Sequence, residues 1–140
     1  MVVLDASVVY KWFVDEKPQI LTTTARKIRK SFVEGKQEVT APDILLYELA
    51  NAFAFKTNLE PHDILKFWTK LAQFNILIVS PSLEFMQKAI LFSKRYKVSV
   101  YDSCYAVLAF ENKCNLITAD EKFVKQVNLP FVKTLDYLLD

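Results

Sequence analysis

Short apolar runs alternate with amphipathic stretches along the whole chain. Runs typical of β-strands lie at residues 2–5, 38–41, 76–79, 116–118 and 131–133. Apolar positions at helical spacing predict helices over residues 8–13, 19–34, 44–55, 61–74, 83–96, 102–112 and 121–127. Because strands alternate with helices and are apolar on both sides, the pattern predicts an α/β three-layer sandwich with a short, mostly parallel central sheet.

The length of the chain and the absence of linkers predict a single domain. The 140 residues suffice for one substantial core, and no repeat or low-complexity tract divides residues 1–140. The longest apolar run, residues 104–110, is far shorter than the roughly 20 residues that span a membrane. Residues 1–4 lack the basic start of a signal peptide, so we expect a cytoplasmic protein. Cys104 and Cys114, about 15 Å apart on one helix, would be free thiols.

The scarcity of several residue types excludes common kinds of site. Gly35 is the only glycine, so neither a phosphate-binding P-loop nor a dinucleotide-binding loop can form. With His62 as the only histidine and two cysteines, a zinc site or a Ser-His-Asp triad is poorly supplied. Any chemistry would therefore rest on carboxylates, and sites rich in oxygen ligands select Mg²⁺ or Mn²⁺.

Four acidic residues are embedded in apolar sequence. Asp5 ends the first strand, Asp120 follows a late one, Glu48 lies within the helix at 44–55, and Asp102 begins a helix that is apolar all round. Each has a possible structural role of its own: a turn, a helix cap, an ion pair or a charge at a helix N-terminus. One divalent metal would explain all four, because ligands of open parallel sheets bind beyond the carboxyl ends of the strands.

Polar and basic residues near these acids have less certain roles. Ser7 is placed to cap the helix at 8–13. The net charge of +2 is too small to indicate a nucleic-acid binder, but basic residues cluster on the helix at 19–34. That cluster is either a solvated helix face or a surface for RNA. The candidates for phosphate contact are Lys11, Arg26, Lys27, Arg29, Lys30 and Lys122.

Four segments together resemble the PIN-domain family of metal-dependent ribonucleases, in particular its VapC-type toxins. They are residues 3–7, 42–52, 102–109 and 116–123, and the resemblance covers essentially the whole chain. It implies endonucleolytic cleavage of RNA, usually by a homodimer, and inhibition by a cognate antitoxin lying along an apolar groove. It also implies a metal-binding quartet for Mg²⁺ or Mn²⁺, supported by two hydroxyls: Asp5, Glu48, Asp102 and Asp120, with Ser7 and Thr118. Ser103 departs from the alanine of many relatives.

Three other readings are weaker. A receiver-type phosphoacceptor protein, with Asp5 and Lys133 in key positions, would need a further aspartate where residues 80–81 are Ser-Pro. A haloacid-dehalogenase phosphatase would need an aspartate at Ser7. The alternative that keeps the fold is a catalytically silent PIN-like module for binding RNA or protein. A scaffold, however, has no need to hold four negative charges together.

Overall fold

The computed structural model describes residues 1–139, and within this range it contains five β-strands and seven α-helices. The strands are β1 (Val2–Leu4), β2 (Val39–Pro42), β3 (Leu77–Val79), β4 (Asn115–Thr118) and β5 (Val132–Thr134). The helices are α1 (Ala6–Tyr10), α2 (Gln19–Val33), α3 (Ile44–Phe55), α4 (Pro61–Gln73), α5 (Leu83–Tyr96), α6 (Val100–Glu111) and α7 (Glu121–Val127). A 3₁₀-helix, Leu135–Leu139, follows β5 and packs on α2.

The strands form one sheet in the order β3-β2-β1-β4-β5, and every neighbouring pair is parallel. The α/β architecture predicted from the sequence is confirmed. The chain moves outward in one direction from β1 to β3, then crosses back to β4 and continues to β5. Because crossovers between parallel strands are right-handed, this reversal places α1–α4 on one face of the sheet and α5–α7 on the other.

Helix α6 is the buried centre of the second layer. It packs against β1, β2 and β4, and its residues 103–109 are all buried. This confirms the predicted core helix. Tyr101 and Phe110, at its two ends, are exposed, so the helix is buried along its middle rather than all round. Cys104 on this helix and Cys114 after it are free thiols, as predicted.

Two helices begin earlier than the sequence predicted. The helix expected at 8–13 is Ala6–Tyr10, and its N-cap is Asp5, which accepts a hydrogen bond from the Val8 amide at 3.3 Å. Ser7, predicted as this cap, lies inside the helix and bonds elsewhere. Helix α6 begins at Val100, two residues earlier than predicted, because the Ser99 side chain caps it. Both differences arise because several residues nearby are chemically able to cap a helix.

Aromatic side chains fill the first layer between α1, α2 and α4. The Trp12 ring stacks on Phe32 at 6.2 Å and meets the edge of Phe74 at 5.5 Å. Phe13 lies 5.4 Å from Phe67 of α4. These contacts anchor the short helix α1, whose five residues could not hold a helix alone, and thereby the position of Asp5 at its start.

None of the helices described over residues 1–139 is long and apolar enough to cross a membrane.

Candidate functional site

The candidate site lies where the strand order reverses, at the carboxyl ends of β1 and β4. These strands are neighbours, with Leu4 paired to Ile117. Asp5 directly follows β1, and Thr118 is the last residue of β4. The helices that leave the two strands run to opposite faces of the sheet. In parallel α/β sheets, ligands bind in the crevice at such a switch point.

Two hydroxyl groups hold the Asp5 carboxylate. Ser7 donates from Oγ to Oδ1 at 2.5 Å, and Thr118 donates from Oγ1 to Oδ2 at 2.5 Å. Backbone amides then donate to the same hydroxyls, from Ala119 to Ser7 at 2.9 Å and from Asp120 to Thr118 at 3.0 Å. Because the amides use the acceptor side of each hydroxyl, both hydroxyl protons are directed toward Asp5. Ser7 and Thr118 thus both bond to Asp5, and their support of a metal-binding quartet stays a prediction.

Burial raises the pKa of Asp5 to about 6, and the negative charge of Asp102 adds to the increase. The hydrogen bonds from Ser7, Thr118 and Val8 act in the opposite direction and do not cancel the effect. The ionised carboxylate therefore has a cost in the folded protein that a nearby cation would relieve.

Glu48 lies on the middle of α3 and is bonded to Tyr105 of α6, whose hydroxyl donates to Oε1 at 2.9 Å. Burial raises the pKa of Glu48, the Tyr105 bond lowers it, and the charges of Asp5 and Asp102 raise it. Burial also raises the pKa of Tyr105 far above neutrality, so its hydroxyl stays protonated and remains a donor. Glu48 thus has a neutral hydrogen-bond partner in Tyr105 rather than a partner in an ion pair.

Asp102 and Asp120 stand near the starts of α6 and α7. Burial raises the pKa of Asp102, a hydrogen bond with the Ser99 side chain lowers it, and the charge of Asp120 raises it. Asp120 is the N-cap of α7, where its Oδ1 accepts from the Phe123 amide at 2.9 Å, and its side chain is exposed. The structural role weighed for Asp120 is therefore present, and its other carboxylate oxygen takes no part in that cap.

The charges of the acids raise the pKa values of their neighbours. The charge of Asp102 raises the pKa of Asp5 and of Glu48, that of Asp5 raises the pKa of Glu48, and that of Asp120 raises the pKa of Asp102. The oxygen-only donor set fits Mg²⁺ or Mn²⁺. Over the described residues 1–139, however, no three acidic, histidine or cysteine side chains converge as a ready metal-binding group. Mg²⁺ is usually bound by one or two carboxylates and several waters, so such a site does not require all four acids to lie close together. The remaining acids would move inward or act through bound water.

Residues 2–128 match the sequence profile of the PIN domain. The chain belongs to the PIN domain family. No curated protein sequence matches it. Solved structures of similar fold provide the remaining comparisons.

Three solved structures illustrate this shared PIN fold. One is a toxin-antitoxin complex from Klebsiella pneumoniae: 17% identity, TM-score 0.70, covering 96% of this chain and 98% of that one. Another is VapC20 of Mycobacterium tuberculosis, a toxin that cleaves the sarcin-ricin loop: 11% identity, TM-score 0.69, covering 89% of this chain and 94% of that one. The third is VapBC2 of Rickettsia felis bound to promoter DNA: 14% identity, TM-score 0.64, coverage 96% and 98%.

Three basic residues predicted to contact phosphate are engaged within the PIN domain itself. Lys11 is buried and pairs with Glu16 at 2.7 Å. Arg26 donates to the Lys11 carbonyl at 3.1 Å, and Arg29 donates to the Trp12 carbonyl at 2.5 Å. The two arginines thus satisfy carbonyl groups just past the end of α1, where a positive charge is favourable. Their contact with RNA stays a prediction. The side chains of Lys27, Lys30 and Lys122 are exposed.

Sequence reasoning missed Tyr105 as a member of the site. Its signal was present: Tyr105 stands three residues after Asp102, on the same side of α6, and is the one residue with a polar side-chain group between 105 and 109. A buried tyrosine hydroxyl requires a partner. The partner, Glu48 on α3, lies in the other layer and 57 residues away in the chain, so the sequence alone does not identify it.

Proposed function

We propose that this PIN domain is a metal-dependent endoribonuclease and the toxin of a toxin–antitoxin pair of the VapBC type. The observation that carries the proposal is the hydrogen-bonded placement of the acids at the switch point of the sheet: Ser7 and Thr118 hold both oxygens of Asp5, and Tyr105 ties Glu48 to the helix that carries Asp102. Family membership supports the nuclease class, and the toxins among the structural neighbours support the toxin assignment. Residues 1–140 would act as one domain in the cytoplasm, where the RNA substrate is.

In this proposal the four carboxylates hold one or two Mg²⁺ or Mn²⁺ ions. A bound ion supplies a water of lowered pKa and stabilises charge on the leaving oxygen. Ser7 and Thr118 fix both oxygens of Asp5, so this carboxylate is oriented before any ligand arrives. Asp120, whose side chain is exposed, would bind the ion or orient a water near the phosphodiester. The exposed side chains of Lys27, Lys30 and Lys122 would attract the RNA backbone.

Two apolar surfaces support the proposed protein partners. A largely apolar stripe on α3 is exposed and would pair with a second copy in a homodimer: Tyr47, Ala50, Ala54 and Phe55, with the polar Asn51 among them and Phe55 83% exposed. A largely apolar cleft of about 350 Å³ lies between α3, α4 and β3, lined by residues that include Leu45, Trp68 and Ile78. We propose this cleft as the place where an apolar segment of the antitoxin binds.

The alternative is a catalytically silent PIN-like module that binds RNA or protein. One observation favours it: over residues 1–139, no three candidate ligands stand close enough to form a ready metal-binding group. The raised pKa values of Asp5, Glu48 and Asp102 weigh against it, because burying like charges together has a cost that binding RNA does not require.

The test is cleavage of structured and unstructured RNAs with Mg²⁺, with Mn²⁺ and with chelator. We expect metal-dependent cleavage by the parent protein and none by Asp5→Asn or Asp102→Asn. Asp136→Asn is the matched control, since Asp136 is an exposed acid in the 3₁₀-helix, and it should cleave at the parent rate. Equal rates for Asp5→Asn and the parent would refute the site, and RNA binding without cleavage under every condition would favour the silent module.

A further inference from the structure

Tyr105 is a buried polar residue in the centre of the molecule. Its side chain is 1% exposed, and it lies on α6 one turn after Asp102. A phenolic hydroxyl in such surroundings must find partners, since an unpaired buried hydroxyl costs free energy. Where its hydrogen bonds go therefore shows what the residue holds in place.

The hydroxyl of Tyr105 joins two segments that carry acids. It lies on α6, as Asp102 does, and donates to Glu48 Oε1 of α3 at 2.9 Å. One hydroxyl thus connects α6 and α3.

These segments belong to different layers of the sandwich. Helices α1 and α3 pack together on one face of the sheet, while α6 covers β1, β2 and β4 on the other. The Tyr105 bond therefore crosses the edge of the sheet where the strand order reverses. Among the hydrogen bonds described for residues 1–139, it is the one that links the Glu48 side chain to the layer that carries Asp102 and Asp120.

We propose that Tyr105 is a positioning residue that orients the Glu48 carboxylate for a divalent cation, by binding Oε1 and leaving Oε2 toward the crevice. The inference deepens the proposed function and rests on it. Partners that orient a metal-binding carboxylate typically contribute ten- to a hundredfold to metal affinity. Tyr105 does not touch the reacting atoms, and its effect on cleavage would pass through Glu48.

A double-mutant cycle tests this inference by the dissociation constant of Mn²⁺, measured from the electron paramagnetic resonance signal of the free ion. The four proteins are the parent, Tyr105→Phe, Glu48→Gln and the double variant. We expect Tyr105→Phe to raise the dissociation constant about tenfold, because phenylalanine keeps the ring and removes only the hydroxyl. In the Glu48→Gln background, the same change should have no further effect.

Tyr10→Phe is the matched control. Tyr10 is also buried, with its ring stacked on Phe53 at 5.6 Å, and lies at the far end of α1 from Asp5. Its substitution should leave Mn²⁺ affinity unchanged. Circular dichroism in chelator verifies that each variant is folded, so that a loss of affinity is not a loss of structure.

The outcomes separate this inference from the proposed function. If the parent binds Mn²⁺ and Tyr105→Phe binds it equally well, the positioning role is overturned while the nuclease proposal stands. If Tyr105→Phe weakens binding equally in both backgrounds, its effect does not pass through Glu48, which also overturns the role. If the parent does not bind Mn²⁺ at all, the proposed function fails and the inference fails with it.

Discussion

Asp5→Asn should stabilise the metal-free protein at pH 8. The pKa of Asp5 rises from 3.8 to about 6 on folding, chiefly because the carboxyl is buried. Between these values the folded protein binds more protons than the unfolded chain, so its stability falls as the pH rises through this window and stays lower above it. At pH 8 this penalty amounts to roughly 3 kcal/mol at most, at about 1.4 kcal/mol per pKa unit.

The net gain should be smaller than this limit. Asparagine keeps one carbonyl oxygen as an acceptor, but its NH₂ group cannot accept, so one of the two hydrogen bonds from Ser7 and Thr118 is lost, which costs about 1 kcal/mol. We therefore expect an increase of about 1–2 kcal/mol in the free energy of unfolding at pH 8. At pH 4 the parent carboxyl is mostly protonated in the folded state, so the gain should vanish or reverse.

Urea denaturation followed by circular dichroism, in chelator at pH 4 and pH 8, measures both differences. Asp136→Asn is the control and should change neither, because Asp136 is exposed. A variant Asp5→Asn that is less stable than the parent at pH 8 in chelator would refute the reasoning. The same result at both pH values would show that Asp5 is a structural cap of α1 and carries no electrostatic strain.

Three further predictions concern the metal and the helix ends. Millimolar Mn²⁺ should raise the melting temperature of the parent but not of Asp5→Asn, since binding at a hundred times the dissociation constant adds about 2.7 kcal/mol; equal shifts would contradict the site. Ser99→Ala should lower the free energy of unfolding by about 1 kcal/mol in urea through loss of the α6 cap; an unchanged midpoint would be evidence against that cap. Arg29→Met should destabilise by about 1–2 kcal/mol, because the Trp12 carbonyl loses its donor, with Lys27→Met as the exposed control; equal effects of the two would disprove the Arg29 role.

The architecture was predictable because it depends on local periodicity. Each strand is a short apolar run bounded by polar or turn residues, as at 76–79, and each helix repeats its apolar positions within a few turns. The periodicity extends over a whole run, so one residue that departs from it does not change the predicted strand or helix. Helix ends depend on single hydrogen bonds, which is why Ser7 was predicted as a cap in place of Asp5 and why α6 begins earlier than expected.

The candidate site was predictable only in part, for a physical reason. An acidic residue next to an apolar run stands out in a sequence, and Asp5 and Asp102 are two such residues. A bond between layers is not visible, so the contact of Tyr105 with Glu48 could not be found this way, although Tyr105 itself stands out as the polar residue within 105–109. The same limit explains Arg29, whose partner is a backbone carbonyl 17 residues away in the chain. A charged side chain looks the same in a sequence whether it meets RNA or its own backbone.

We propose that carboxylates from four segments form one metal site at the switch point of the sheet. The most direct test is a crystal structure of the protein grown with Mn²⁺, with diffraction measured at the manganese absorption edge. We expect an anomalous peak at coordination distance from oxygens of at least two of Asp5, Glu48, Asp102 and Asp120. A peak elsewhere, or no peak near these residues at millimolar Mn²⁺, would contradict it.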